Sequence, residues 1–200
     1  MLKAALNEDM VECGCDEAGR GCLAGAVFAA AVILPNGFKN STLNDSKKLT
    51  ARQRYQLREV IEREAVAWAV ASVDAQNIDK MNILRASFHA MNLAVKSLTA
   101  KPQFLLIDGN RFYNETSIPF ACIVKGDGKY MSIAAASILA KTYRDDYMAE
   151  LDTQCPGYGW AKNKGYPTAD HYQAINRLGV SPHHRKSFKL VKDPELDLTI

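Results

Sequence analysis

The 200-residue sequence contains no uninterrupted apolar run of the length needed to cross a membrane, and Met1 to Glu12 has no apolar stretch of the kind that opens a secretory leader. Cysteine is sparse and odd in number: Cys13, Cys15, Cys22, Cys122 and Cys155 show no C-x-x-C spacing, and several sit in apolar runs where cysteine behaves as a small hydrophobe. A disulfide framework and a zinc site are both unexpected on that basis, and the reading is a cytoplasmic protein with reduced thiols. Repeats and low-complexity linkers are also missing. So are a Walker-type loop and a dinucleotide fingerprint, since Gly126-Asp127-Gly128 is too short for either. None of the four histidines has a second His or Cys at metal-ligand spacing.

Charge of one sign is scarce only locally. The whole chain carries a formal +3, but Cys155 to Lys192 holds seven Lys or Arg and a single acid, Asp170. Lys162, Lys164, Arg177, Arg185, Lys186, Lys189 and Lys192 would suit a polyanion, or would simply face solvent. An apolar content of 48% supports a real core.

Hydrophobic patterning gives the order of elements. Val11 to Cys15 is a short apolar strand with Asp16 at its carboxyl end, and Gly25 to Leu34 is a longer strand stopped by Pro35-Asn36-Gly37. Thr50 caps a helix to about Glu64, and Trp68 to Val73 is β-like. Ile83, Leu84, Phe88, Met91 and Val95 give helical spacing to one long stretch over Ile78 to Leu98. Phe104 to Ile107 and Ala121 to Lys125 are strands, Ser132 to Leu151 is a strong helix, and Thr168 caps a last helix that Gly179 ends. From Pro182 onward the chain reads as a basic tail. Interleaved strands and helices predict an α/β domain with a mixed sheet over 1–155, followed by a small basic helical extension over 156–200 packed on it.

Asp16-Glu17, Asp108 and Asp127 each follow a short apolar strand and precede a turn. Sites in open α/β sheets gather at strand ends. Adjacent strands lie about 4.8 Å apart, so carboxylates on neighbouring ends can converge on one or two hard cations. Oxygen-only ligands favour Mg²⁺ or Mn²⁺ over zinc. Acids at loop starts are common, but two adjacent acids closing an apolar strand repel each other and need a cation. Gly19-Arg20-Gly21 follows directly, with two glycines that let backbone approach a ligand and an arginine able to hold a phosphate. Lys47 stands in a polar, lysine-rich loop. Tyr166, within KGYPT, could stack on a sugar or pack under a turn. His183, His184 and Arg185 belong to a dense cationic cluster.

Seven motifs in order carry a family resemblance: CDEAGRG (Cys15 to Gly21), NDSKKL (Asn44 to Leu49), IDGN (Ile107 to Asn110), KGD (Lys125 to Asp127), AAASILAKTYRD (Ala134 to Asp145), KGYPT (Lys164 to Thr168) and HHRKSF (His183 to Phe188). Together they span nearly the whole chain, which resembles bacterial ribonuclease HII. The resemblance implies a ribonuclease H-like mixed sheet flanked by helices, and action on RNA–DNA hybrids and on duplex DNA containing single ribonucleotides, cut on the 5′ side; with no obvious dimer patch in the sequence, a monomer is expected. It implies that Asp16, Glu17, Asp108 and Asp127 are metal-binding and catalytic, and that Gly19, Arg20 and Gly21 read the ribonucleotide. Tyr166 would pack on its sugar, with Lys47, His183, His184 and Arg185 on the backbone. Two other readings stand beside it: a two-metal phosphohydrolase of small phosphoesters, and a non-catalytic nucleic-acid-binding module.

Overall fold

The computed structural model describes residues 2–44 and 46–191, with the backbone alone at Lys47. Five strands form one mixed sheet: β1 (Glu12–Ala18), β2 (Val27–Ile33), β3 (Ala67–Val73), β4 (Phe104–Asp108) and β5 (Phe120–Ile123), in the order β3-β2-β1-β4-β5. β1, β2 and β3 pair antiparallel, whereas β4 joins β1, and β5 joins β4, in parallel. Helices α1 (Ala51–Glu64), α2 (Ala75–Met81), α3 (Ile83–Lys96), α4 (Met131–Gln154), α5 (Trp160–Asn163) and α6 (Ala169–Leu178) complete the fold. Among the described residues no helix is long and apolar enough to cross a membrane.

Strand alternation sorts the core into two layers. Cys13, Cys15, Val27, Ala29, Ala31, Leu105 and Ile107 face α3. Ala30 and Val32 of the sheet face α4, with α1 packed behind it. Alanines on both β2 and the first turns of α4 let this helix lie close to the sheet, and it is buried on nearly every side from Met131 to Ala140. Contact is closest at Gly14, where a Cβ would run into the α4 backbone at Ser132 and Ile133.

Most predicted elements appear within a few residues of their expected limits. Thr50 caps α1 through a complete capping box with Gln53. Three expectations need correction. The stretch Ile78 to Leu98 is two helices, because Asn82 takes φ 69 between them, ending α2 and capping α3 through its side chain. Asp16 lies inside β1 and not at its end, since pairing with β2 continues to Ala18 opposite Phe28. The segment from Ser181 is more than a basic tail, since Ser181, His184 and Arg185 are buried. It is pinned by a bridge from His184 to Ala24 and by Asp79 of α2, which accepts from the Lys186 and Ser187 amides. A third core of Leu23, Ala24, Met148, Leu151, Tyr158, Trp160, Ala174 and Ile175 joins this region to the second half of α4.

Candidate active site

Parallel pairing of Cys15 with Ile107 sets Asp16 beside Asp108 on neighbouring strands, both directed to the α4 side opposite Cys15. Asp16 is only 5% exposed. Burial, then the charges of Glu17 and Asp108, push its carboxyl well above the ordinary range, while bonds from the Ser137 hydroxyl and the Glu17 amide pull it partly back. Burial likewise raises Glu17 despite the Arg20 guanidinium, whose Nη1 lies 3.1 Å from Glu17 Oε1. The Gly126 amide donates to Asp108 Oδ1 at 2.6 Å. A Cβ at position 126 would press on Ile133 and on that same oxygen, so glycine is what allows the contact. The turn then delivers the buried Asp127, following Lys125 in the left-handed region at φ 55.

These acids form an oxygen-only donor set in a dry place, where the charge of Asp108 disfavours ionisation of both Asp16 and Glu17. That is the chemistry of a hard divalent-cation site. Among the described residues no three His, Cys, Asp or Glu are already gathered at ligating distance. Glu17 leans towards Arg20, and one Asp108 oxygen faces Gly126 instead. The donor chemistry fits the group.

Beyond the acids, Gly19 turns at φ 95 and rests on the buried guanidinium of Arg144, with no room there for a Cβ. Gly21 faces open space. Arg144 donates to the carbonyls of Ala24, Ala26 and Lys164, so a single side chain holds the glycine loop, the start of β2 and the KGYPT loop together. Arg185, fully buried, donates Nε–H to the Gly25 carbonyl and Nη1–H to the Arg20 carbonyl. Tyr166, 38% exposed, has its ring about 6 Å from the cations of Lys141 and Arg144. Ser137, Lys141 and Arg144 share a face of α4 at spacings of four and three, and this stripe runs from Asp16 to Tyr166.

Two expected backbone-binding residues are placed otherwise than such contacts require. Arg185 has no solvent face, and His184 is 1% exposed. His184 Nδ1 accepts from the Ser181 amide, and its Nε2 lies 3.2 Å from His171 Nε2. His171 Nδ1 is 2.9 Å from the Tyr166 carbonyl. With both rings neutral, His171 Nε2 accepts from the Trp160 indole N–H at 2.9 Å and shares that lone pair with the longer His184 contact, while its Nδ1–H donates to the Tyr166 carbonyl, so the cluster fixes the backbone that carries the tyrosine. Half-buried His183 packs edge-on against Trp160. The Lys47 side chain lies outside the described residues. Sequence reasoning overlooked Ser46, Ser137, Arg144 and His171. Their only sequence signal was membership in the quoted motifs or neighbourhood to them, because burial is not visible in residue type.

The histidine pair predicts a pH signature. Burial, and then His171, lower His184 to about 4 from the usual 6.5. The unfolded chain therefore takes up a proton between these values that the folded chain refuses, and stability contributed by neutral His184 is lost as pH falls through that window. Melting temperatures from pH 7.5 to 4.5 should drop more steeply in the parent than in His184→Gln. Equal slopes would remove His184 from the account. Comparing the two proteins cancels the opposite trend from Asp16 and Glu17, whose raised carboxyls favour the fold at low pH.

The sequence matches the ribonuclease HII family over residues 13–191. It is 63% identical to ribonuclease HII of Bacteroides thetaiotaomicron over 99% of both chains. Among solved structures it resembles ribonuclease H2 of Pyrococcus horikoshii OT3, with TM-score 0.73 at 24% identity over 90% of this chain and 94% of that one. It also resembles Bst-RNase HIII in complex with Mn²⁺, with TM-score 0.64 at 20% identity over 84% of this chain and 62% of that one.

Proposed function

Because this chain belongs to the ribonuclease HII family, and is therefore a ribonuclease H endonuclease, we propose that it cuts RNA–DNA hybrids and duplex DNA on the 5′ side of a single embedded ribonucleotide. The observation that carries the substrate reading is the juxtaposition of a buried acid cluster with a glycine turn open to ligand at Gly21 and braced from beneath by Arg144 and Arg185.

Asp16, Glu17, Asp108 and Asp127 would hold Mg²⁺ or Mn²⁺, the latter being the ion in the Bst-RNase HIII complex. A divalent ion held there lowers the pKa of bound water and offsets charge on the phosphate. The protein's own part is to desolvate and orient. Asp16 and Asp108 present oxygens from a rigid parallel strand pair. Gly19 to Gly21 offer backbone groups to the 2′-hydroxyl, the one atom that separates RNA from DNA at a single position. Arg20, half-exposed, can exchange its bond to Glu17 for a phosphate oxygen. Tyr166 packs on the sugar. Exposed Lys186 and Lys189 give salt-sensitive affinity for the duplex backbone.

An end-labelled duplex with one ribonucleotide tests this. Mg²⁺ should produce a single cut leaving a 3′-hydroxyl and a 5′-phosphorylated ribonucleotide, and its omission should leave the duplex intact. Binding without cutting, or cutting indifferent to the ribonucleotide, would overturn the proposal.

A further inference from the structure

Two serines outside the acid cluster form a buried relay into it. The Ser137 hydroxyl of α4 faces the Asp16 carboxyl closely enough to favour its charged form. Ser46 Oγ lies 2.9 Å from Ser137 Oγ, and each serine is 6% exposed. An ionised carboxylate, the form that takes a cation, only accepts, so a Ser137 proton directed to Asp16 leaves the Ser137 oxygen to accept from Ser46. In that state the chain runs Ser46 to Ser137 to Asp16.

The backbone frame makes the placement rigid. Gly14 abuts Ser132 and Ile133 of α4. Asp16 lies two strand residues further on, about 6.8 Å, and Ser137 four helical residues beyond Ile133, about 6 Å. Strand and helix therefore advance in step from a point of backbone contact to the serine–aspartate pair. On the other side, the turn carrying Ser46 is held by Arg54, whose Nη1 donates to the carbonyls of Ser46 and Leu49 at 3.0 and 2.6 Å. Arg54 in turn sits in the first turn of α1 behind the Thr50 capping box.

We propose that Ser137 and Ser46 are positioning residues, with Ser46 orienting the Ser137 hydroxyl and Ser137 fixing the Asp16 carboxylate in the orientation that takes a divalent cation. The inference rests on the reading of Asp16 as a metal-holding carboxylate. It also gives the lysine-rich loop a second task, because any shift of that loop moves Ser46 and loosens Asp16. Neither serine touches the reacting atoms. Hydrogen-bond partners behind a metal ligand typically govern affinity by about 10–100-fold.

Mn²⁺ binding to substrate-free protein, followed by calorimetry, separates the possibilities. Ser137→Ala should weaken Mn²⁺ about tenfold, with duplex KM unchanged and the Mg²⁺ dependence of the rate shifted to higher concentration. Ser46→Ala should shift both readouts the same way by a smaller factor, and Ser46→Thr, which keeps the hydroxyl, should stay with the parent. The double variant should bind no worse than Ser137→Ala, since Ser46 acts through Ser137. Asp16→Asn serves as the control. If it leaves Mn²⁺ binding intact, the acid-site reading fails. If it weakens binding while Ser137→Ala does not, the relay alone is overturned. Additive serine effects would overturn the order of the chain, and should Ser137→Ala not fold, an unshifted Ser46→Ala overturns the role of Ser46.

Discussion

Asp16→Asn is expected to lose cleavage by at least about a hundredfold, the scale set by a single charge-stabilising group, and yet to melt at a higher temperature than the parent in metal-free buffer. Both effects have one cause. Burial and the charges of Glu17 and Asp108 hold the Asp16 carboxyl far above its ordinary range. A carboxyl raised by folding stabilises the fold only at low pH, and that contribution is lost as pH rises through its folded value. At neutral pH the cluster therefore strains the metal-free protein. Asparagine keeps the shape and an acceptor oxygen but removes the charge. Differential scanning calorimetry in chelator, beside the single-ribonucleotide assay, checks both halves. Addition of Mn²⁺ should stabilise the parent more than the variant, narrowing or reversing the difference. A variant that is inactive and also less stable in chelator would mean that the acids are tied down by protein contacts and not poised for an ion.

Arg144→Ala should be the most damaging single change away from the acids. It would leave the buried carbonyls of Ala24 and Ala26, and that of Lys164, without their guanidinium, and would take the floor from beneath Gly19. Each buried acceptor deprived of its partner costs about 1–3 kcal/mol, so a loss of about 3 kcal/mol or more is expected in urea unfolding. Cleavage should fall as well, because the glycine loop and the tyrosine loop lose the group they share. Lysine is not a substitute here: a single ammonium cannot span three carbonyls set by a planar fork. Recovery of parental stability by Arg144→Lys would show that charge, and not geometry, matters at this position.

The fold class and most elements were legible because they rest on periodicity and punctuation, both local. The Thr50 cap, the Pro35-Asn36-Gly37 stop and the Gly179 ending all appear where residue chemistry puts them. The break at Asn82 was not legible. Apolar spacing continues across it, and a left-handed Asn is a tertiary choice that lets α2 and α3 diverge. At the site, the acids stood out through their position after apolar strands, although the strand end was misjudged: Asp16 sits two residues inside a ladder that runs to Ala18. His184 and Arg185 marked the limit of reading charge from letters. Basic residues near the end of a chain look like a solvated patch, and only the fold reveals that both are enclosed, one in a histidine pair and the other beneath the Arg20 carbonyl. The serines were invisible for the same reason, since a hydroxyl acquires meaning only from what it is buried against.

The Arg185 strut also bears on how the enzyme is made. Its bonds to the Gly25 and Arg20 carbonyls close loops of 160 and 165 residues, among the longest separations in the molecule. The sheet pairs β1 with β2 early, across a short connection. The Gly19 to Gly21 loop, by contrast, cannot take its final form on the ribosome until residue 185 has emerged from the exit tunnel. A nascent chain thus carries its acids for most of synthesis without the strut beneath the neighbouring glycine turn, and the finished site arrives late, with closure of these long-range contacts.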